Sequence, residues 1–152
     1  MKTRHSEGPL ETAVRLLARR DHTERQLREK LHRKDFSNEE ITETITQLKD
    51  KGYMNEDALR DRMLEKFVSE GRYGLHGILA KLRQNGLMSI SEAAVREHFP
   101  EETEMETAQK ILGKNFPVRD DTTLPRQMRF LSNRGFSQAV MSKIARESRK
   151  HQ

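Results

Sequence analysis

The chain has 152 residues, about one domain's worth, of which 33% are hydrophobic and 35% charged, with a net charge of +5. It has no cysteine, which excludes disulfides, thiolate metal sites and a cysteine nucleophile. The opening MKTRHSEGPLETAV has no apolar leader core, and no run approaches the length of a membrane span, so a cytoplasmic protein without membrane contact is expected.

Residues 1–8 are expected to form a flexible arm. A first helix is predicted from Pro9 to Arg20, with Leu10, Ala13, Val14, Leu16 and Leu17 inward. Thr23 and Gln26 form a capping-box pair that opens a second helix to about Lys34. Asp35 then stands where a left-handed residue should end the helix. Ser37 and Glu40 form another capping box, for a third helix that ends at Gly52. Asn55 caps a fourth helix, which stops near Gly71, and a fifth spans Gly74 to Asn85. Ser89 and Glu92 are expected to cap the sixth, which stops before Pro100, and Thr103 and Glu106 to open the seventh, which runs to about Asn115. Pro117 to Thr123 is the longest connector and is expected to act as a joint. In Leu124 to Arg149, Pro125 suits a helix start, Gly135 a helix end and Ser137 the cap of a ninth helix. That last helix places Val140, Met141, Ile144 and Ala145 on one inward stripe.

The unit recurs. Phe36, Leu87 and Phe136 follow equivalent turns at offsets of 51 and 49 residues, and Leu16, Phe67 and Phe116 keep the same offsets. Leu27 and Leu31 match Ile78 and Leu82. A fixed period of this size predicts an all-α fold of three tandem three-helix repeats in an elongated, curved array, with repeats at 9–52, 53–100 and 101–152. So thin a supply of apolar residues suits small cores, each partly buried against its neighbour.

Catalytic signatures are missing. The six histidines include no HExxH motif, and no GxxxxGK[ST] loop is present. Gly71, Gly74 and Gly77 punctuate helices. Adjacent acids such as Glu39 and Glu40 sit at helix starts, and Ser37 and Ser137 serve as caps. His22 and His32 are expected on an exposed, charged helix pair. The sequence therefore predicts no enzyme, no cofactor and no metal.

Charge is segregated. Residues 1–34 carry a net +5, residues 35–66 −4, residues 67–107 −3 and residues 108–152 +7. Basic ends around an acidic centre predict contact with an extended acidic partner, a nucleic acid or an acidic protein surface. The set expected to carry that contact is Arg126, Arg129, Arg134, Lys143 and Arg146, followed by Arg25, Arg28 and Lys34. Two tyrosines and no tryptophan argue against a single-strand stacking platform. A helix-turn-helix reader built on the second and third helices is disfavoured by Glu39, Glu40 and Glu43, which would repel DNA.

The sequence resembles the RecX family of bacterial recombinase regulators over residues 10–150. In repeat one the resemblance rests on AVRLLARRDHTERQLREKLHRKDFS and the junction ITQLKDKGYMNEDAL. In repeat two it rests on Gly74, Ile78, Leu82, Gly86 and Leu87, and in repeat three on RFLSNRGFSQAVMSKI. The departures are Asp35 in place of a glycine and the acidic middle. The resemblance implies a monomer that binds the RecA recombinase, above all its filament on single-stranded DNA. It implies inhibition of ATP hydrolysis and strand exchange, in homologous recombination, DNA repair and the SOS response. It leaves room for a weak direct DNA contact. The alternatives are a DNA-binding protein acting without RecA through its basic ends, and a scaffold for another acidic protein.

Overall fold

The computed structural model describes residues 7–150, and the side chains of 7–149. The expected arm at residues 1–8 lies mostly outside the described residues. Of its last two residues, Glu7 pairs with Arg15 at 3.2 Å and the Gly8 carbonyl accepts the Thr12 hydroxyl at 2.9 Å.

Among the described residues there are nine helices and no strand: α1 (Pro9–Arg19), α2 (Glu24–Arg33), α3 (Asn38–Asp50), α4 (Glu56–Glu70), α5 (Leu75–Gln84), α6 (Glu92–His98), α7 (Glu101–Asn115), α8 (Leu124–Asn133) and α9 (Gln138–Lys150). They follow the three expected triplets. Both capping boxes of the first triplet form, Thr23 with Gln26 and Ser37 with Glu40. The Asn55 side chain accepts the Ala58 N–H at 3.2 Å.

Two caps differ from expectation. Ser91, not Ser89, caps α6, accepting the Ala94 N–H at 3.2 Å. Ile90 is buried, so the chain must turn inward there before the helix can begin. Helix α7 starts at Glu101 behind Pro100, ahead of the expected Thr103–Glu106 box, which lies within its first turns.

The turn closing the second helix of the first and third triplets is the same object. The Phe36 N–H bonds the Leu31 carbonyl at 3.3 Å, and the Phe136 N–H bonds the Leu131 carbonyl at 3.1 Å. This is the Schellman closure, which needs a left-handed residue just before the phenylalanine. Gly135 supplies it with φ 77°, and Asp35 adopts φ 65° in the corresponding place. Both phenylalanines are buried.

Contacts divide the chain into two compact units. The first ends at Asp61 and includes Asn85–Leu87; the second comprises Arg62–Gln84 and the chain from Met88 onward. The core of the first is Ala13, Leu16, Leu27, Leu31, Phe36, Ile41, Ile45 and Leu48. Within it Gly86 lies on the first turn of α2, where an added Cβ would stand 2.7 Å from the Thr23 hydroxyl, and Gln26 bonds Asn85 at 3.0 Å.

The second unit repeats this joint in a tighter form. The first turn of α5 lies on the α8–α9 turn: Gly74 N–H donates to the Arg134 carbonyl at 3.0 Å, and His76 N–H to the Gly135 carbonyl at 2.8 Å. A Cβ on Gly74 would meet the Phe136 backbone at 2.3 Å, and one on Gly77 would meet the Arg134 carbonyl oxygen at 2.4 Å. Backbone lies on backbone here, so side chains are excluded. Gly74 has no side chain with which to cap α5. The cap comes instead from Glu104 of α7, which is wholly buried and accepts the Leu75 N–H at 2.9 Å.

His22 departs from the expected exposure: it is buried in the α1–α2 connection. Its Nδ1 lies 2.9 Å from the Arg20 carbonyl and its Nε2 lies 2.7 Å from the Lys30 ammonium. A neutral ring suits both partners, donating from Nδ1 and accepting at Nε2. Burial, opposed by the Arg20 carbonyl, holds its pKa below the ordinary 6.5; Lys30 and Arg20 lower it further, and Asp21 raises it. The unfolded chain therefore takes up this proton first as pH falls. Stability from His22 is full above about pH 6.5 and declines as pH drops through that value toward the lower native pKa. Between pH 7.5 and 5.5 the melting temperature should fall, and His22→Gln should fall less steeply. Equal slopes would remove His22 as the cause.

Candidate partner-binding surface

Helices α8 and α9 carry charge of almost one sign. From Leu124 to Arg149 there are six arginines and lysines and one carboxylate, Glu147. Glu147 accepts a hydrogen bond from Gln109 of α7 at 3.2 Å, which places it on the α7 side. The outer face is therefore predominantly cationic, although the Asp120 carboxylate of the preceding connector interacts with Arg126.

The expected residues do not share one environment. Arg126 and Arg129 are exposed, one turn apart on α8. Arg146 is exposed on α9, with its Nε 3.4 Å from the Ser142 carbonyl. Lys143 is exposed but engaged by Glu101 of α7, whose pKa it lowers by hydrogen bonding and by charge. Arg134 is half-buried, and its guanidinium lies 4.3 Å from the centroid of the Phe130 ring, a packing role at the joint with α5. In the first unit, Arg25 approaches Glu29 and Arg28 approaches Glu24, each at 3.9 Å, and Glu24 also holds Lys49 at 2.9 Å. Lys34 is exposed at the end of α2. Exposed pairs of this kind are worth at most about 1 kcal/mol, so a partner's phosphates or carboxylates can displace them.

The inward stripe expected on α8 and α9 is narrower than the sequence suggests. Val140, Ile144 and Leu131 are buried, while Met128, Met141 and Ala145 are only half-buried. With Arg129, Ser132, Gln138 and Ser142 they line a groove of about 480 Å³ between the two helices. Met128 and Met141 still touch the third-repeat core of Ala108, Ile111, Leu112, Leu131, Phe136, Val140 and Ile144.

The Pro117–Thr123 connector is knitted by Asp120, which accepts the Thr122 and Thr123 N–H groups at 2.9 and 3.2 Å. The Thr123 hydroxyl in turn accepts from the side-chain amide of Gln127 at 2.8 Å. Gln127 is buried, at the position that Leu27 and Ile78 occupy in the other repeats. That break in the apolar column is its one signal in the sequence. Among the described residues no group of three or more His, Asp or Glu side chains could hold a metal ion, and no helix is long and apolar enough to cross a membrane.

Comparison with known proteins gives the family of the chain. The family described as RecX, first three-helix domain, matches residues 10–48. The regulatory protein RecX of Haemophilus influenzae is 33% identical over 116 residues, covering 74% of each chain. The chain belongs to the RecX family. RecX of Syntrophotalea carbinolica is 28% identical over 144 residues, spanning 91% of this chain and 94% of its own. The fold agrees as well: the crystal structure of RecX from Lactobacillus salivarius superimposes with a TM-score of 0.77 at 18% identity, over 91% of this chain and 93% of that one. The RecX relatives are named regulatory proteins, and the all-helical, three-repeat reading stands with them.

Proposed function

We propose that this protein binds the RecA recombinase filament on single-stranded DNA, bridges its protomers and restrains ATP hydrolysis and strand exchange. It acts as a cytoplasmic monomer of three repeats, at 9–52, 53–100 and 101–152, without catalysis of its own. The observation that carries the reading is the cationic outer face of α8 and α9 on a chain of the RecX family. Repeat three grips through Arg126, Arg129 and Arg146, with Lys143 released from Glu101, while Arg134 holds the turn beneath them. Repeat one adds Arg25, Arg28 and Lys34. Two weak contacts on one chain act as one strong contact when their span matches the sites.

The test is RecA ATP hydrolysis on single-stranded DNA with the protein titrated in below one copy per protomer. Inhibition at those ratios is expected. Reversing Arg126, Arg129 and Arg146 to Glu should weaken it by about tenfold or more, whereas reversing Arg60 and Arg62 should change little. Arg60 already pairs with Asp57 and Asp61 and lies in the acidic stretch. Equal effects of the two sets would overturn the end-grip reading. The same cationic face also suits a protein that binds DNA without RecA. That reading predicts steeply salt-dependent binding to naked DNA and no effect on RecA bound to saturating DNA.

A further inference from the structure

We propose that the groove between α8 and α9 receives an apolar side chain from an acidic segment of the recombinase, which rests on the function proposed above. The floor is Met128, Met141 and Ala145, each half-buried although it belongs to the apolar stripe of its helix. Methionine is unbranched and polarizable, so a methionine-lined surface adapts to an incoming aliphatic or aromatic side chain. The rest of the lining, Ser132, Gln138 and Ser142, offers hydrogen bonds to a peptide backbone.

The surroundings choose the partner's charge. Arg129 lines the groove, and Arg126 lies one turn before it on α8. On α9, Arg146 bonds the carbonyl of Ser142, itself a lining residue, and Arg149 lies one turn beyond Ala145. The one carboxylate of the two helices is turned to α7. An apolar floor inside a cationic rim complements an acidic segment with one apolar anchor, the arrangement of a helix or strand laid in a groove. A phosphodiester backbone would satisfy the rim but leave the floor exposed, so a protein segment fits better than DNA. The anchor supplies the desolvated centre and the arginines the steering and register.

The native protein can be tested directly. With its seven methionine methyl groups carbon-13 labelled, RecA assembled on single-stranded DNA is added at increasing ratio. Met128 and Met141 should broaden before Met54 of the first unit and the exposed Met88. Broadening confined to the other methionines would overturn the assignment. In parallel, Ala145→Trp fills the groove without touching a charge. Binding to the RecA filament should weaken about tenfold, with binding to naked single-stranded DNA unchanged. If wild type binds RecA and Ala145→Trp binds equally well, the groove proposal fails and the proposed function stands. If Ala145→Trp weakens naked-DNA binding by the same factor, the groove belongs to DNA and the proposal is overturned. If wild type binds no RecA, both readings fall. A filled groove with wild-type helicity and melting temperature certifies the fold of the variant.

Discussion

Gly135→Ala should destabilise the protein by about 3–5 kcal/mol in urea denaturation. Two independent costs combine. At φ 77° an L-residue costs about 1–2 kcal/mol, because its Cβ crowds the neighbouring carbonyl. The new methyl would also stand 2.1 Å from the Gly77 nitrogen and 2.6 Å from its Cα, and neither is a side chain that can swing away. The α8–α9 turn must therefore lift from α5. Lifting it breaks the Gly74–Arg134 and His76–Gly135 hydrogen bonds, each worth about 1 kcal/mol net, and loosens the buried Phe136. Two other glycines separate the causes. Gly52 has φ 78° and open space, so Gly52→Ala should show the conformational cost alone, about 1–2 kcal/mol. Gly113 is helical with open space, so Gly113→Ala should stabilise by up to about 1 kcal/mol. If Gly135→Ala matched Gly52→Ala, close backbone approach would not be what glycine serves at that joint. With total stability of about 5–15 kcal/mol typical of such a domain, the predicted loss is a large fraction of the whole.

This joint shows where sequence reasoning succeeds and where it stops. The period of about 50 residues and the two forming capping boxes follow from local chemistry, because a cap or a left-handed turn is settled by three or four neighbouring residues. Asp35 can be placed in the left-handed region from its repeat position alone, and it is found there. The misses are long-range. Ser89, with Glu92 three residues on, fits the capping-box pattern better than Ser91, which has Ala94 there, and the burial of Ile90 overrides it. His22 has charged neighbours in sequence but a buried site in space. Met128, Met141 and Ala145 have the spacing of core residues, and nothing local says that no further helix covers them. The basic residues can be counted but not sorted. Lys143 meets its partner 42 residues away and Arg134 finds an aromatic ring, whereas Arg126 and Arg129 lie on the open face. Glu104 is hidden for a further reason. It stands in the run Glu101, Glu102, Glu104, Glu106, where every member reads as a solvated helix start. One trace of it exists: Gly74 takes the position of the capping Thr23, 51 residues on, so α5 has to borrow its cap from elsewhere.

That borrowed cap leads to the second large effect. Glu104→Ala should cost about 3–5 kcal/mol, the range for breaking a buried charge network from one side. Four donors converge on this wholly buried carboxylate. Oε2 accepts the Leu75 and Ser137 N–H groups, both at 2.9 Å. Oε1 accepts the Ser137 hydroxyl at 2.7 Å and the Arg96 guanidinium at 2.9 Å. One side chain of α7 thus joins the start of α5, the start of α9 and the end of α6. Truncation leaves two backbone N–H groups in the interior with no acceptor, at about 1–3 kcal/mol each before any relaxation. Arg96→Ala should cost less. Arg96 is partly exposed and the carboxylate would keep three donors, although the Phe99 carbonyl also loses its bond. Ser137→Ala keeps both backbone donors but removes the hydroxyl bond to Glu104 and the α9 cap, where the hydroxyl accepts the Val140 N–H at 3.4 Å, so a cost of about 1–2 kcal/mol is expected. Glu104→Gln is the sharpest variant. It keeps the shape, but whichever way the amide turns, its NH₂ meets a donor, either the backbone pair or Arg96. A loss of about 2 kcal/mol or more is therefore expected despite the conservative exchange. The order, Glu104→Ala above Glu104→Gln and Glu104→Ala well above Arg96→Ala and Ser137→Ala, distinguishes a shared capping role from simple ion pairing. Were Glu104 only the partner of Arg96, Glu104→Ala and Arg96→Ala would cost the same and a double-mutant cycle would show nearly complete coupling. As the shared cap of two helices, Glu104 should retain most of its cost in the Arg96→Ala background.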